Sequence, residues 1–432
     1  MNVCITPRRF TGTFKIPASK SHTIRQLLIA SLADGESVIK YPLDSLDTRS
    51  CLCACKAFGA EIAEERNGDE IISWKVRGNG GFKKGVGAHT VIDVGNSGTT
   101  LYLALAAAGL QKQPIEFTGD EQIQKRSAAP LLDALAALGV NSHSNNGCAP
   151  ITISGKWKGG KVSLHSPTSQ YLSALLIAAP LAPAGTVTEI EVPLLNEKPY
   201  IEMTLSYLKA HGIPYNNLPD FSFFSIPGGS SWKAFSSSVP GDFSSAAFPA
   251  AATAITGGSV TLLGLDPQDT QGDKFFFEML EKMGCDVQYS DNGENGQSIT
   301  VSRGNSLRGG TFDLNKTPDL LPAAAVTAAF ADGDTRLVNV AHARIKETDR
   351  IAVMMQELAK LGIRCTELPD GLVIHGKGAL SAMPSPVIDG HGDHRIVMSF
   401  AVAALGSPVP VEITTAECAA VTYPGFIEKI IG

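Results

Sequence analysis

The sequence carries little charge, and none of that charge is concentrated in a run of one sign. Only 18% of its 432 residues are Asp, Glu, Lys or Arg, and the formal net charge is −6. Because nucleic-acid-binding proteins carry a basic run or a basic domain, a nucleic-acid partner is not expected. Hydrophobic residues make up 44% of the chain, which is typical of a folded globular protein. At this length we expect two or three domains.

Hydrophobic runs long enough to cross a membrane are also missing. The longest apolar runs, such as residues 320–331, fall short of the roughly 20 residues that a transmembrane helix needs. The first residues, MNVCITPRRFTG, lack the apolar core of a signal peptide. We therefore expect a cytoplasmic protein with no membrane partner.

The eight cysteines lack the paired spacing of zinc sites. Cys51, Cys53 and Cys55 alternate along a predicted helix, so the three do not share one face. Reduced thiols in a cytoplasmic protein are the expected state, and no metal is expected.

What the sequence does contain is a long repeat. Six Ala- and Leu-rich segments each run into a glycine turn and then into a β-like segment. The marker glycines are Gly35, Gly109, Gly185, Gly257, Gly333 and Gly406. Their successive spacings are 74, 76, 72, 76 and 73 residues, which indicates repeated supersecondary units.

Each repeat is predicted to have the order βαβαββ, with the sixth copy cut short, which places the chain in the α/β class. Helices that are apolar nearly all round, such as the one predicted over residues 172–182, are expected inside, with the sheets outside them. Three repeats in each half give two domains. The chain is expected to cross between them near Ser19 and near residues 238–241, so that the N-terminal residues complete the C-terminal half. The Gly- and Ser-rich residues 228–238 are predicted to form a surface loop.

A polar loop precedes each of the six apolar helices, and the first carries Lys20, Ser21 and Arg25. The predicted helix over residues 24–33 begins beside them, and free backbone N–H groups and the helix dipole favour an anion there. A serine-capped, solvated helix start explains the same residues slightly better on local evidence. The second loop, Asn96–Thr99, is made of small residues that let a ligand approach the backbone, and it is equally consistent with a tight turn. No P-loop lysine follows it, so a nucleoside triphosphate is not indicated.

Two further loops contain groups suited to anions. Lys125 and Arg126 could hold one, although a solvated charged turn explains them better on local evidence. Thr168, Ser169 and Gln170 start the third apolar helix, and their hydroxyl and amide groups suit recognition of a phosphate or hydroxyl as well as helix capping.

The fifth repeat contains the acids. Asp319 precedes an almost wholly apolar helix, where it either caps the helix or acts as a general base. Residues 344–350, RIKETDR, form the densest charge cluster in the chain. A solvated capping box would explain that cluster, but it combines cations (Lys346, Arg350) with an acid (Glu347) whose pKa burial can change, which favours function.

The sixth loop reads HGDHR and contains His391, Asp393, His394 and Arg395. Two histidines beside an aspartate could bind a metal, but no third ligand lies at metal-site spacing. The favoured interpretation is that the helix start directs Arg395 toward an anion.

In order and spacing, these segments resemble the EPSP synthase (3-phosphoshikimate 1-carboxyvinyltransferase) family. The resemblance covers essentially the whole chain, from SKSHTIR to TYPGF. The intervening segments are GNSGTT, TSQYLSALL, EKPYIEMT, GDFSSAA, TPD, KETDR and DHRI. One such segment is weak evidence, but all of them in order are specific.

The resemblance implies a two-domain, inside-out α/β barrel with three βαβαββ repeats per domain. One domain would comprise residues 1–19 plus 240–432, the other residues 20–239, with the active site in the cleft between them. The implied reaction transfers the enolpyruvyl group of phosphoenolpyruvate to the 5-hydroxyl of shikimate 3-phosphate and releases phosphate, in the shikimate pathway to chorismate and the aromatic amino acids. The implied protein is a monomer that needs neither metal nor organic cofactor.

The resemblance also implies residue roles. Asp319 would accept the proton of the 5-hydroxyl, Glu347 would donate the proton to carbon 3, and Lys20 would be the third catalytic residue. Shikimate 3-phosphate would contact Lys20, Ser21, Arg25, Thr168, Ser169, Gln170, Tyr200, Asp319 and Lys346. Phosphoenolpyruvate would contact Lys20, Gly98, Arg126, Gln170, Arg350 and Arg395.

Four positions depart from the family pattern. Tyr102 stands where an arginine is usual, and Val421 stands where a lysine is often found. Both lost cations would help with anionic ligands, so their absence bears on phosphoenolpyruvate affinity. His342 in place of Asn and Glu197 in place of Ser are smaller departures.

Four alternatives stand beside this function. Tyr102 and Val421 fit an enolpyruvyl transferase with another phosphorylated acceptor, whereas the UDP-sugar transferases are disfavoured because no reactive loop cysteine is found. A non-catalytic paralogue would need cations but no paired acid and base, so Asp319 and Glu347 count against it. The same fold serves RNA 3′-terminal phosphate cyclases, and the acidic balance counts against that function.

Overall fold

The computed structural model describes residues 1–82, 87, 90–291, 297–304, 306–380 and 386–431. The chain divides into two compact units. We call Lys20–Val239 the inserted unit, and Met1–Ser19 together with Pro240–Gly432 the terminal unit. Each contains three of the six repeats.

Within the described residues the chain forms α-helices and β-strands that alternate along all six repeats. The helices are α1 Lys20–Leu32, α2 Leu46–Ala57, α3 Gly98–Ala108, α4 Ala129–Ala137, α5 Ser169–Ala178, α6 Lys198–Ala210, α7 Phe243–Thr256, α8 Phe275–Met283, α9 Leu321–Ala329, α10 Arg350–Lys360, α11 His394–Leu405 and α12 Phe426–Ile431. The strands are β1 Val3–Ile5, β2 Gly12–Lys15, β3 Glu36–Lys40, β4 Glu61–Asn67, β5 Glu70–Arg77, β6 Thr90–Asp93, β7 Ile115–Thr118, β8 Val140–Asn145, β9 Cys148–Gly155, β10 Gly160–Ser166, β11 Val187–Leu195, β12 Asn216–Asn217, β13 Phe223–Pro227, β14 Ser236–Ser238, β15 Ser259–Leu263, β16 Cys285–Asp291, β17 Gln297–Arg303, β18 Thr311–Asp313, β19 Asp332–Val338, β20 Arg364–Leu368, β21 Gly371–Lys377, β22 Val387–Ile388 and β23 Val411–Ile413.

One strand order recurs in five four-stranded sheets, and the second repeat shows it. β6 pairs in parallel with β7, β7 pairs antiparallel with β9, and β8 lies at the edge beside β9. A parallel pair needs a crossover, which α3 supplies, and the hairpin β8–β9 closes the sheet. The predicted βαβαββ order therefore sets the topology of each sheet.

The strands nearest the two crossovers do not join the sheet of the helix that follows them. β2 precedes α1 but pairs in parallel with β15, Phe14 opposite Leu262, in the terminal unit. β14 precedes α7 but pairs in parallel with β3, Ser237 opposite Ile39, in the inserted unit. Each strand fills the first position of a sheet whose other strands lie far away in sequence.

The N-terminus also completes the sixth repeat. Its sheet has the order β1-β23-β22, and β1 runs antiparallel to β23, with Val3 opposite Ile413. β1 therefore stands in for the closing strand that the shortened sixth copy lacks.

The predicted inner helices are the buried ones. Every residue of α3 is buried, and the same holds for almost all of α1, α5, α7, α9 and α11. In the inserted unit α3 packs on α1 and α5; in the terminal unit α7, α9 and α11 pack on one another. Their alanine-rich surfaces let helices approach closely, which leaves the polar first turns as the places where side chains can reach a ligand.

Two local predictions need correction. Residues 228–238 do not form a simple surface loop, because Trp232 is fully buried and its indole N–H donates to the carbonyl of Ile177 at 3.0 Å, and the segment ends in β14. Helix α1 begins at Lys20 rather than near Ile24, so Lys20 lies in its first turn.

All eight cysteines are free, with Cys51 and Cys55 buried on one face of α2 and Cys53 exposed on another. Among the described residues, no helix combines the length and the apolar character that a membrane crossing requires.

Candidate active site

The predicted site residues fall into two groups, one in each unit. The helix-start cluster lies in the inserted unit and comprises Lys20, Ser21, Arg25, Gly98, Arg126, Thr168, Ser169, Gln170 and Tyr200. The acid–arginine cluster lies in the terminal unit and comprises Asp319, Lys346, Glu347, Arg350 and Arg395, to which the structure adds Asp393.

Arg25 ties three helices of the inserted unit together. Its guanidinium is only 1% exposed. It donates to the carbonyl of Ser21 at 3.2 Å and to the hydroxyls of Thr204 at 3.0 Å and Ser173 at 3.2 Å. It also donates to the carbonyl of Tyr200 at 3.5 Å. Burial lowers the pKa of Arg25 to about 10, which still leaves it charged at neutral pH. Arg25 thereby fixes the first turns of α1 and α6.

Lys20 has an anionic partner within its own unit. Its ammonium nitrogen lies 3.1 Å from Asp47 Oδ2, and both side chains are largely buried. The carbonyl of Asp47 accepts from the hydroxyl of Thr100, in the first turn of α3, at 3.4 Å. Asp47 therefore holds Lys20 beside the start of α3.

The start of α5 holds the residues predicted to bind phosphate, and a carboxylate contacts them. The hydroxyl of Thr168 accepts from the backbone N–H of Gln170 at 3.4 Å and donates to Glu197 Oε2 at 3.2 Å. Ser169 donates to the same oxygen from its hydroxyl at 2.7 Å and from its backbone N–H at 3.0 Å. Sequence analysis noted Glu197 only as a departure from the family pattern; nothing local indicated that its carboxylate would lie on α5.

Arg126 lies so close to Gly98 that a side chain at position 98 would meet its guanidinium. A Cβ at position 98 would lie 2.9 Å from Arg126 Nη1 and 4.0 Å from Gln170 Oε1. Arg126 is oriented by Asn96, whose side-chain oxygen accepts from Nη2 at 2.7 Å. The amide of Asn96 in turn donates to Asp120 Oδ2 and Gln122 Oε1, both at 2.6 Å. The structure thus brings Gly98, Arg126 and Gln170 together, with Asn96 as a positioning residue.

Tyr102 is a buried, neutral neighbour of this group. A Cβ at position 98 would lie 3.6 Å from its ring carbon Cε2. Its hydroxyl donates to the carbonyl of Ser127 at 3.4 Å, and that carbonyl also accepts from Tyr171 at 2.6 Å. The two tyrosine rings pack edge to face with centroids 5.0 Å apart. At position 102, where the resemblance implies an arginine, this chain therefore has an aromatic side chain instead of a cation.

In the acid–arginine cluster, three carboxylates surround one guanidinium. Arg350 begins α10 and is fully buried. It donates to Asp319 Oδ1 at 2.9 Å and to Glu347 Oε2 at 2.5 Å. It also donates to both oxygens of Asp393, at 2.8 and 3.1 Å. Although burial of Arg350 acts to lower its pKa, these carboxylates raise it above its usual range.

Asp319 is held by further cations. Arg395 Nη2 lies 3.2 Å from Asp319 Oδ2, and Lys346 Nζ lies 3.9 Å from Oδ1. Burial acts to raise the pKa of Asp319, but Arg395, Lys346 and Arg350 together lower it well below its usual range. Its side chain is still 24% exposed, so the carboxylate is both ionised and reachable.

Asp393 anchors the cluster, a role that sequence analysis missed. It is fully buried and caps α11 by accepting from the backbone N–H of Arg395 at 2.9 Å. It also accepts from the hydroxyl of Thr348 at 3.1 Å. The available signal was its position directly before a helix that starts with HR. His391 contacts Glu357 instead, with Nε2 3.1 Å from Oε1.

Comparisons with known proteins agree on one family. The family model for EPSP synthase (3-phosphoshikimate 1-carboxyvinyltransferase) matches residues 5–430. The chain is 46% identical to the 3-phosphoshikimate 1-carboxyvinyltransferase of Acetivibrio thermocellus over 419 residues, covering 96% of this chain and 94% of that protein. It is 39% identical to the corresponding protein of Methanocorpusculum labreanum over 431 residues, covering 100% of this chain and 98% of that protein.

A solved structure agrees with them. The EPSP synthase of Acinetobacter baumannii matches with a TM-score of 0.80 at 29% identity, covering 99% of this chain and 97% of that one. The predicted mixed α/β fold and the predicted family are both confirmed. The chain belongs to the EPSP synthase family.

Proposed function

We propose that this chain transfers the enolpyruvyl group of phosphoenolpyruvate to the 5-hydroxyl of shikimate 3-phosphate, and that both clusters act in that one reaction. The observation that carries the proposal is the acid–arginine cluster, where Asp319 and Glu347 share the guanidinium of Arg350. A protein that only bound an anion would need the arginine but not the two acids.

Recognition of shikimate 3-phosphate falls mainly to the helix-start cluster. Thr168 and Ser169 offer hydroxyl groups and a helix N-terminus to the phosphate, and Lys20 and Ser21 add a cation and a hydroxyl from the first turn of α1. Tyr200 and Gln170 complete the contacts. Arg25 is assigned to the same phosphate, and it also holds the carbonyl groups of Ser21 and Tyr200. Lys346 and Asp319 reach the acceptor from the terminal unit.

Phosphoenolpyruvate is assigned to Arg126, Arg350 and Arg395, with Lys20 and Gln170. Gly98 has no side chain, so the ligand can approach Arg126 closely. Arginine suits this task because its planar fork matches phosphate and carboxylate oxygens.

The proton transfers follow the roles that the resemblance implies for Glu347 and Asp319. Glu347 in its protonated form gives a proton to carbon 3, which leaves cationic character at carbon 2, and the 5-hydroxyl attacks there while Asp319 takes the hydroxyl proton. The tetrahedral intermediate then loses phosphate, and the Glu347 carboxylate, which gave up its proton in the first step, takes a proton back from the methyl group. Before substrate binds, the cations that lower the pKa of Asp319 make it a weak base. An anionic substrate on Arg350 and Arg395 reduces that effect, so its arrival raises the pKa of Asp319 and makes it a stronger base.

The proposal includes the domain boundaries, the cellular location and the oligomeric state of the enzyme. The two compact units are taken as the functional domains, residues 20–239 and residues 1–19 plus 240–432, and the enzyme works as a cytoplasmic monomer. Sedimentation at micromolar concentration tests the monomer, since a mass well above 45.4 kDa would contradict it.

The test of the function is release of phosphate from phosphoenolpyruvate by purified protein, with and without shikimate 3-phosphate. Release that depends on the acceptor, in a 1:1 ratio with EPSP formed, is the expected result. Tight binding of shikimate 3-phosphate without release would indicate a non-catalytic paralogue. If the protein neither binds shikimate 3-phosphate nor releases phosphate, another phosphorylated acceptor is favoured. Tyr102 and Val421 keep that alternative open.

A further inference from the structure

Glu197 lies where the proposed function places the phosphate of the acceptor. Its side chain is buried, with the residue 2% exposed, and Oε2 accepts all three hydrogen bonds described above from Thr168 and Ser169. An anion at a helix N-terminus is stabilised by free N–H groups and by the helix dipole. The carboxylate of Glu197 thus satisfies the start of α5 much as a bound phosphate would.

The donors that Glu197 uses cannot serve two anions at once. A hydroxyl has a single proton to donate, and the hydroxyl protons of Thr168 and Ser169 both point to Oε2. Capping does not require Glu197, because the hydroxyl of Thr168 already accepts from the backbone N–H of Gln170. A phosphate could therefore accept hydrogen bonds from these hydroxyls only if the hydroxyls stopped donating to Glu197.

The surroundings of Glu197 also suit an exchange. The attraction between Glu197 and Arg25 is one of the influences that raise the pKa of that arginine, so Glu197 supplies negative charge near a buried cation. A phosphate at the same place would supply that charge instead. Glu197 precedes α6 with a left-handed backbone (φ 58°, ψ 40°), and its side chain does not cap α6. The side chain can therefore move without uncapping its own helix.

We propose that Glu197 is an internal anion that holds the phosphate-binding donors of Thr168 and Ser169 in the free enzyme and is displaced when the phosphorylated acceptor binds. This inference rests on the proposed function, which assigns the acceptor phosphate to these two residues. It makes Glu197 a specificity-determining residue. Shikimate 3-phosphate displaces the carboxylate with the help of its other contacts, whereas inorganic phosphate has none and is kept out.

The main test replaces the charge and keeps the shape, with Glu197→Gln. The variant is expected to bind inorganic phosphate about tenfold more tightly, because one charge-assisted competitor is gone. The KM for shikimate 3-phosphate should fall by a similar factor, and the Tm of the ligand-free protein should also fall. Phosphate binding is followed by 31P NMR titration and by inhibition against shikimate 3-phosphate. The combination of lower stability and tighter binding is not expected of a merely structural residue.

Two further variants make the outcome decisive. Glu197→Ser should shift both constants in the same direction, which guards against poor folding of the glutamine variant. Glu202 is exposed on α6, the helix that Glu197 precedes. Glu202→Gln should therefore change neither the affinity for inorganic phosphate nor the KM for shikimate 3-phosphate. Unchanged or weaker binding of both ligands in the folded Glu197 variants overturns the inference.

Thr168→Val separates this inference from its premise. If the acceptor phosphate binds at α5, this variant raises the KM for shikimate 3-phosphate, whatever Glu197 does. A normal KM in Thr168→Val would show that the phosphate assignment itself is wrong. A raised KM there, together with no gain in the Glu197 variants, would refute only the role of Glu197.

Discussion

The helix-start cluster and the acid–arginine cluster hold their charges in different ways. The first spreads its binding groups over the starts of α1, α3 and α5, and pairs Lys20 with Asp47 and the α5 hydroxyls with Glu197. The second places three carboxylates, those of Asp319, Glu347 and Asp393, around Arg350. Arg395 pairs with Asp319 from the other side. The first arrangement suits recognition of an anion by hydroxyls and N–H groups, and the second suits proton transfer between coupled acids.

The comparison also explains which cluster is sensitive to a single charge. In the acid–arginine cluster the buried Arg350 is compensated by the buried Asp393 and by Asp319 and Glu347, so removing one of these charges leaves the others unbalanced. In the helix-start cluster, neutral hydroxyls and backbone groups carry much of the binding, so single changes should alter affinity more than stability or turnover.

The largest effect is expected for Asp319→Asn. The variant keeps the shape and should fold, but under the proposed role of Asp319 it lacks the base for the 5-hydroxyl, so kcat should fall about a thousandfold. The KM for phosphoenolpyruvate should change far less. Steady-state phosphate release measures both constants, and Asp332→Asn, an exposed aspartate of the same repeat, is the control. Near-normal turnover in Asp319→Asn would remove it as the base.

The next effect concerns stability and pH. Asp393→Asn should destabilise the protein by about 3–5 kcal/mol, because it leaves the buried Arg350 without its bidentate partner. Burial opposes ionisation of Asp393, but Arg350 outweighs it and lowers the pKa of Asp393 below its usual value.

The sign of the pH dependence follows from that lowered pKa. The stabilisation by Asp393 is fully present above the unfolded-state pKa of about 3.9 and is lost as the pH falls through the lower folded-state pKa. Acid unfolding followed by circular dichroism should therefore be less steep for Asp393→Asn than for the wild type. Identical acid profiles would argue against a charged Asp393–Arg350 pair.

A smaller effect is expected in the helix-start cluster, for Gly98→Ala. The new methyl group would lie 2.9 Å from Arg126 Nη1, and Asn96 limits how far that side chain can move away. The KM for phosphoenolpyruvate should rise about tenfold, with the KM for shikimate 3-phosphate nearly unchanged. Gly304→Ala is a suitable control because its methyl group would meet only ordinary contact distances. Equal changes in the two KM values would contradict the assignment of Gly98 and Arg126 to phosphoenolpyruvate.

Local patterns were enough to predict the repeats and the buried helices. Glycine spacing marked the six units, and the absence of a polar face on segments such as residues 172–182 indicated burial. The pairing of β2 with β15 and of β14 with β3 was harder to predict, because each pairing joins strands that are remote in sequence. A strand of three or four residues carries no local signal for its partner.

Within the site, residue types were easier to predict than contacts. Helix starts indicated Lys20, Thr168 and Arg395 as candidates, since the chemistry of a first turn is local. Glu197 and Asn96 were not given their roles, because each contacts its partner through a turn whose path depends on tertiary packing. Asp393 was considered only together with His391 and His394, as part of a possible metal site. Its partner is Arg350, 43 residues earlier in the chain.

The most direct test of the central claim compares phosphate release from phosphoenolpyruvate in the presence of shikimate 3-phosphate, of unphosphorylated shikimate, and of neither. If the helix-start cluster reads the acceptor phosphate and the acid–arginine cluster performs the chemistry, release should be rapid with shikimate 3-phosphate and close to background in the other two reactions. Equal release with shikimate would contradict the role given to Thr168 and Ser169, and no release with any acceptor would contradict the function itself.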